Sequence, residues 1–233
     1  MIKSYNLELL ARLDSLINRD AFDDQIQNNE LYKGVVSGSP VLLRELNDVC
    51  QRFPNGWTGR FVLDVGCGSG FTFDQLPFIT HGVEPNEVKF QNACAKGKPV
   101  EQGFCENIPF TSNFFDCVIV WGVLCFVRSL VESLIECNRV LKVGGYLVVD
   151  TVSSTILPMA QTVDELSFCR YTRSFGFEVV ERLRFCEPTT PRHYRVGFVL
   201  EKVQDFVEDM LLAPFVVGGT INNFLEDRDW FMK

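Results

Sequence analysis

The chain has 233 residues, 46% of them hydrophobic and 22% charged, figures close to those of a globular domain able to bury a full core. Its formal net charge of −8 speaks against nucleic acid as a partner, because no Lys/Arg cluster longer than a pair offsets phosphate repulsion. No run of about 18 apolar residues occurs, and nine cysteines beside only two histidines, without a CxxC, fit neither a metal site nor a secreted disulfide framework; a cytoplasmic protein without a membrane span is expected.

Residues 1–58 read as a helical N-terminal cap. Leu7, Leu10, Leu13 and Ile17 fall on one helical face, and a second pattern runs through VLLRELNDVCQRF until Pro54 and Gly56 stop it. Residues 59–203 form the core. Here FVLDV, HGVE, DCVIVWGV and GYLVVDTV read as buried strands, with NEVKFQNACAKG and SLVESLIECNRVLK as helices between them. That alternation implies a mostly parallel sheet with helices on both faces. A further helix is predicted in VDELSFCRYTRSFGF. EVVERLRF and RVGFVLEKV follow, two strands joined by a loop containing Pro188 and Pro191, which add an antiparallel hairpin at the sheet edge. Residues 204–233 carry Pro and Gly breaks and many aromatics, and an irregular C-terminal extension packed on the core is expected there. Cys67, Cys117 and Cys125 sit inside apolar runs and read as small core hydrophobes.

The chemistry concentrates in VLDVGCGSGFTF, Val62 to Phe73. A strand ending in a glycine-rich turn at a helix N-terminus aims backbone N–H groups at a ligand, usually an anionic or polar part of a nucleotide. The dinucleotide fingerprint is G-x-G-x-x-G, but Gly66, Gly68 and Gly70 alternate, and Phe71 stands where the third glycine would fall. NAD-dependent oxidoreduction is disfavoured on that ground, and the P-loop signature with its Gly-Lys-Ser/Thr is missing. A second carboxylate, Glu84, follows Asp64 at the end of HGVE, where an acid can accept from both ribose hydroxyls.

With Asp64 ahead of the glycines, the segment resembles the first motif of class I S-adenosylmethionine-dependent methyltransferases, D/E-x-G-x-G-x-G. Glu84 matches that family's ribose-binding acid. GFCENIPFTSNFFDCVIVWGVLCFV resembles its adenine-side loop and fourth strand, and ECNRVLKVGGYLVVD its helix, turn and fifth strand with R-x-L-K-x-G-G. The resemblance covers about residues 60 to 150, is nearest to the small-molecule type that includes the ubiquinone/menaquinone-biosynthesis enzymes, and extends less clearly to about 203. It implies a Rossmann-like α/β fold with a seven-stranded sheet. It also implies a cofactor site for S-adenosylmethionine, with S-adenosylhomocysteine as product, made of Asp64, Gly66, Cys67, Gly68, Gly70, Glu84, Pro85, Phe104, Cys105, Glu106, Trp121 and Gly122. Three positions depart from the family. The adenine loop often carries G-D-A-E, but Gly103, Phe104, Cys105 and Glu106 stand here, so backbone near Cys105, or Glu106, would have to meet the adenine. Cys125 occupies a frequent histidine position, and Val143 stands for a common proline.

Methyl transfer from a sulfonium is an in-line displacement in which the protein aligns two reactants and excludes water. Trp121 would face the sulfonium by cation–π attraction or pack as ordinary core. If the acceptor is a hydroxyl or amine, His193, in the loop beside Tyr194, is the candidate general base; His81 reads as structural. Tyr32, Trp57, Phe215, Phe224 and Trp230 are candidate aromatic residues of a lid over the strand ends. The expected partner is a small or medium-sized methyl acceptor, with the acceptor atom and the oligomeric state left open. The alternative is a non-catalytic module that binds the cofactor for regulation or partner contact.

Overall fold

The computed structural model describes residues 40–51, 56–152, 165–187 and 190–207. The first helical pattern and Tyr32, Phe215, Phe224 and Trp230 lie outside them.

The described chain begins with α1 (Pro40–Cys50), whose Leu46, Val49 and Cys50 are buried. β1 (Val62–Val65) leads through the glycine turn into the short α2 (Phe71–Gln75), then β2 (His81–Glu84) and α3 (Glu87–Ala95). Asn86 caps α3, its side chain accepting from the Lys89 N–H at 3.1 Å, which ends β2 and starts a helix within three residues. β3 (Val100–Gln102) and β4 (Phe115–Val120) follow, then a single 3-10 turn (Leu124–Phe126). Ser129 caps α4 (Leu130–Val140) by accepting from the Glu132 N–H at 3.1 Å. β5 (Leu141–Val152), α5 (Glu165–Ser174), β6 (Phe177–Glu187) and β7 (Thr190–Lys202) complete the order.

The seven strands form one sheet in the order β3-β2-β1-β4-β5-β7-β6. β1 to β5 pair in parallel, whereas β7 runs antiparallel to both β5 and β6. The mostly parallel sheet with an antiparallel C-terminal hairpin is thus the architecture expected. Two details differ. β5 starts at Leu141, directly after α4, and takes in the Lys142–Gly145 stretch that reads as a turn, with an irregular register against β4 between Phe115 and Cys117. β7 starts at Thr190 and includes Pro191 and His193, so His193 stands in a strand rather than in the loop.

Alternating side chains divide the core between the two faces. Leu63, Val65, Val118, Val120, Leu147 and Val149 pack with Leu130, Leu134 and Cys137 of α4 and Phe168 of α5. Val62, Cys117, Ile119, Trp121 and Val148 pack with Leu46, Val49 and Cys50 of α1. A polar bolt closes the antiparallel end. The Lys202 amine, fully buried, donates to the carbonyls of Asn138 at 2.8 Å and Leu141 at 2.7 Å and to Asn113 Oδ1 at 3.0 Å, and pairs with Asp205. Every charge-assisted bond is made, which is the condition for burying an ammonium without severe cost. No helix among the described residues is long and apolar enough to cross a membrane.

Candidate cofactor and acceptor site

The sheet order reverses direction between β1 and β4, and in open α/β sheets ligands bind beyond the strand C-terminal ends at that switch point. The glycine turn sits there. Gly66, Gly68 and Gly70 have φ of 76°, 57° and 76°, a left-handed conformation costly for residues with a Cβ. Gly66 is also sterically fixed: a Cβ would lie 2.5 Å from Val123 Cγ2, so the segment after β4 folds directly onto the turn. Nothing lies within 4 Å of the corresponding position on Gly68, which leaves the outer face of the turn open.

Two buried carboxylates brace this loop. Glu84, 1% exposed, accepts from the Gly68 N–H at 2.8 Å and from the Asn86 N–H at 2.9 Å, one bond to each oxygen. The N–H groups of Gly66 and Cys67 donate to the Val83 carbonyl at 2.7 and 3.1 Å, so the turn hangs on the end of β2. Asp64, also buried, accepts from the Thr72 hydroxyl at the start of α2. Burial pushes the Asp64 carboxyl up to about 7; the Thr72 bond opposes the shift and the Glu84 charge adds to it. Burial also lifts Glu84 above the ordinary range, against its two N–H donors and the nearby Lys89. Burial and the two acids raise the Cys67 thiol as well, which keeps it an un-ionised filler. Two buried carboxylates raised above their ordinary range beside an open glycine turn suit a ligand bearing a cation and hydroxyl donors.

The adenine-side positions are organised otherwise. Phe104 opens a turn closed by the Asn107 N–H on its carbonyl at 3.1 Å, and the Arg128 guanidinium stacks 5.0 Å from its ring centroid. Cys105 is buried. The Glu106 carboxylate accepts from the N–H groups of Arg128 and Ser129, so it supports the start of α4, where the helix dipole favours an anion. Pro85 is half-buried between Glu84 and Asn86.

On the other side of the switch point, the Gly122 N–H donates to Asp150 Oδ1 at 2.6 Å. The Trp121 indole turns toward the antiparallel strands: a Cβ on Gly197 would meet its Cη2 at 2.6 Å, and Phe185 stands edge-on at 6.2 Å. β7 lies beyond β5, away from β1, so this placement favours the packing reading of the ring over a sulfonium contact. His193 falls in β7, and its side chain lies outside the description, as does that of Cys125 in the 3-10 turn. His81 starts β2 with its Nδ1 2.8 Å from Thr80 Oγ1 and the rings of Phe61, Phe110, Phe114 and Phe115 around it, at the opposite strand ends from the glycine turn. Trp57 stacks on Phe78 with centroids 4.4 Å apart. Thr72, Val123 and Asp150 are site residues that the sequence reading passed over. The available signal was Asp150: like Asp64 and Glu84, it is an acid at the end of an apolar strand.

A Rossmann-like sheet carrying a glycine turn after its first strand, and an acid in the C-terminal half of each of its first two strands, defines the class I methyltransferase architecture. Comparison with known proteins agrees. The family model described as "Methyltransferase domain" matches residues 63–149, and "Uncharacterized methyltransferase YodH" of Bacillus subtilis is 30% identical over 158 residues, 55% of this chain and 67% of that protein. The chain belongs to the class I S-adenosylmethionine-dependent methyltransferases. It is also 36% identical over 106 residues to a "tRNA U34 carboxymethyltransferase" of Hahella chejuensis, covering 40% of this chain but only 32% of that one. A crystal structure from Thermotoga maritima described as a "SAM-dependent methyltransferase, possible histamine N-methyltransferase" shares the fold with a TM-score of 0.57 at 24% identity, over 70% of this chain and 89% of its own.

Proposed function

We propose that the protein transfers the methyl group of S-adenosylmethionine to a small or medium-sized acceptor by in-line displacement. The observation that carries this reading is the pairing of buried Glu84 with the Gly68 N–H beneath the open face of the glycine turn. The bound cofactor supplies a methyl group already activated on a sulfonium. The chain's residues do the rest. Glu84 has lone pairs beyond those given to the Gly68 and Asn86 N–H groups and takes the ribose hydroxyls. Asp64 lies beside the turn and takes the ammonium of the amino-acid part, while Gly66, Cys67, Gly68, Gly70 and the backbone at Trp121 and Gly122 form its wall. Pro85 and the turn from Phe104 to Glu106 bound the adenine end. Positioning and water exclusion account for the catalysis required, with His193 as the base for an acceptor that must lose a proton.

An RNA acceptor is the second reading, and the tRNA-directed relatives favour it. The net charge of −8 weighs against it, since binding a polyanion rests chiefly on phosphate neutralisation.

Calorimetric titration with S-adenosylhomocysteine, on the wild type and on Glu84→Ala and Gly68→Val, tests the site. Binding that both substitutions abolish is expected; a folded wild type that binds nothing leaves the regulatory-module alternative without a ligand as well. Release of S-adenosylhomocysteine, measured with small hydroxylated and amino acceptors and with unmodified tRNA, then separates the readings. Turnover on tRNA alone would overturn the small-acceptor proposal, and binding without any turnover would favour the non-catalytic module.

A further inference from the structure

Among the described residues, a buried indole N–H stands without a partner. The Trp121 side chain is 9% exposed, and its indole Nε1 makes no hydrogen bond. Leaving a buried N–H unpaired forfeits its hydration without return, and native structures keep such groups rare, so each calls for a reason. The ring is not loosely held. Gly197 on β7 leaves the space that Cη2 and Cζ3 occupy, and Phe185 on β6 meets the ring at 80°. The fold thus fixes an indole whose donor it does not use.

The position of that donor is informative. Trp121 directly follows β4 at the switch point, where a ligand of this sheet is expected. Val120 pairs with Val149, so the next position across the ladder is Asp150, which is 2% exposed and binds the Gly122 N–H. Val199, Leu183 and Phe185 add apolar wall on the same face.

Building on the methyltransferase reading, we propose that the Trp121 Nε1–H binds an oxygen of the methyl acceptor, and that the acceptor is a neutral, largely apolar ring compound carrying a hydroxyl or carbonyl. An anionic group is disfavoured by the buried Asp150 carboxyl one position across the ladder from Trp121, and a purely hydrocarbon body would leave the N–H unpaired. Water does not reach the nitrogen, so an oxygen that parts the side chains over it gains a bond in a medium of low dielectric.

The test uses the full chain saturated with S-adenosylhomocysteine and two probes, phenol and benzene, followed by the indole N–H resonances of the three tryptophans in proton–nitrogen correlation spectra. Trp121→Phe identifies the Trp121 resonance, and Gly197→Ala, which displaces the ring, identifies it should that variant not fold. The expected result is a downfield shift of this resonance with phenol and none with benzene. Trp121→Phe should bind phenol about tenfold more weakly, the loss of one hydrogen bond. An unmoved Trp121 resonance, or equal phenol affinity in Trp121→Phe, overturns the inference and leaves the methyltransferase reading intact. Failure of S-adenosylhomocysteine to bind overturns both.

Discussion

The two sides of the switch point are built by different means. Between β1 and β2 the wall is backbone: three glycines of positive φ, with N–H groups committed to Val83, Glu84 and Cys67. Between β4 and β7 it is side chains: an indole laid on Gly197, an edge-on Phe185 and a buried Asp150. Backbone geometry tolerates almost no substitution, whereas side-chain walls are exchanged at modest cost. This difference explains how one architecture keeps one cofactor and serves many acceptors, and why fold alone does not give the substrate.

The sharpest way to break that comparison is a pair of matched substitutions. Gly66→Ala combines a strained φ of 76° with a Cβ 2.5 Å from Val123, and a loss of about 3 kcal/mol in folding stability is expected together with loss of cofactor binding. Gly197→Ala meets two side chains rather than backbone, the Trp121 indole at 2.6 Å and the Phe185 ring at 3.3 Å, without a strained φ. About 1 kcal/mol and intact binding of S-adenosylhomocysteine are expected. Denaturant titration and calorimetry on both variants check this, and equal losses would show that the two walls are not different in kind.

Next in size is Glu84→Gln. The amide has one acceptor oxygen where the carboxylate gives two, so either the Gly68 or the Asn86 N–H is left facing an NH2 group. Replacing a charge-assisted bond at the ribose should weaken S-adenosylhomocysteine binding about tenfold to a hundredfold. Gly103 and Phe104 lie beyond this clamp, so adenosine alone should show the same loss, and an unaffected affinity would remove Glu84 from the ribose.

Much of this could be read from residue order. Alternating apolar runs announce a parallel sheet, and an antiparallel pair is legible in EVVERLRF and RVGFVLEKV because each has strand texture and no helix separates them. β3 escaped because three residues, Val100–Gln102, carry no pattern. The starts of β5 and β7 escaped because Gly144, Gly145 and Pro191 signal turns, and only pairing to neighbours overrides them. At the site, Asp64, the glycines and Glu84 are close in sequence and stand out together. Asp150 and Val123 act through the register of β4 against β5 and β1, which no local pattern contains. The direction of the Trp121 ring depends on a glycine 76 residues later.

Asp64 makes the cofactor side sensitive to pH in a way the acceptor side is not. Its carboxyl, pushed up to about 7, holds a proton in the folded protein between about pH 4 and 7 that the unfolded chain has already released. The folded state therefore binds more protons in that window, and the stability this group contributes falls as the pH rises through it. Asp64→Asn should then stabilise the ligand-free protein at pH 8 by a few kcal/mol while weakening the cofactor. In the wild type, a cationic ligand pulls the carboxyl down and expels the proton, so S-adenosylmethionine affinity should rise up to about tenfold from pH 6 to pH 7. Titration in buffers of different ionisation enthalpy measures the proton released. A pH-independent affinity would place the ammonium elsewhere.

The smallest effect is expected at Phe104, where the cofactor side gives up backbone control. Its ring carries the Arg128 guanidinium at 5.0 Å, a contact worth about 0.5–1 kcal/mol at an exposed position, and it offers the adenine amine no acceptor. Phe104→Asp exchanges the stack for a carboxylate, and the outcome depends on who captures it. If Arg128 does, an exposed ion pair worth at most about 1 kcal/mol replaces the stack, and S-adenosylhomocysteine affinity stays as it was. If the carboxylate is free to face the adenine, affinity rises a few-fold. Arg128→Ala separates the cases: added to Phe104→Asp it should release the carboxylate and raise the affinity for S-adenosylhomocysteine but not for its inosine analogue, which lacks the amine. Equal gains for both ligands would mean that this turn does not read the adenine edge, and that the cofactor is gripped from the ribose inward.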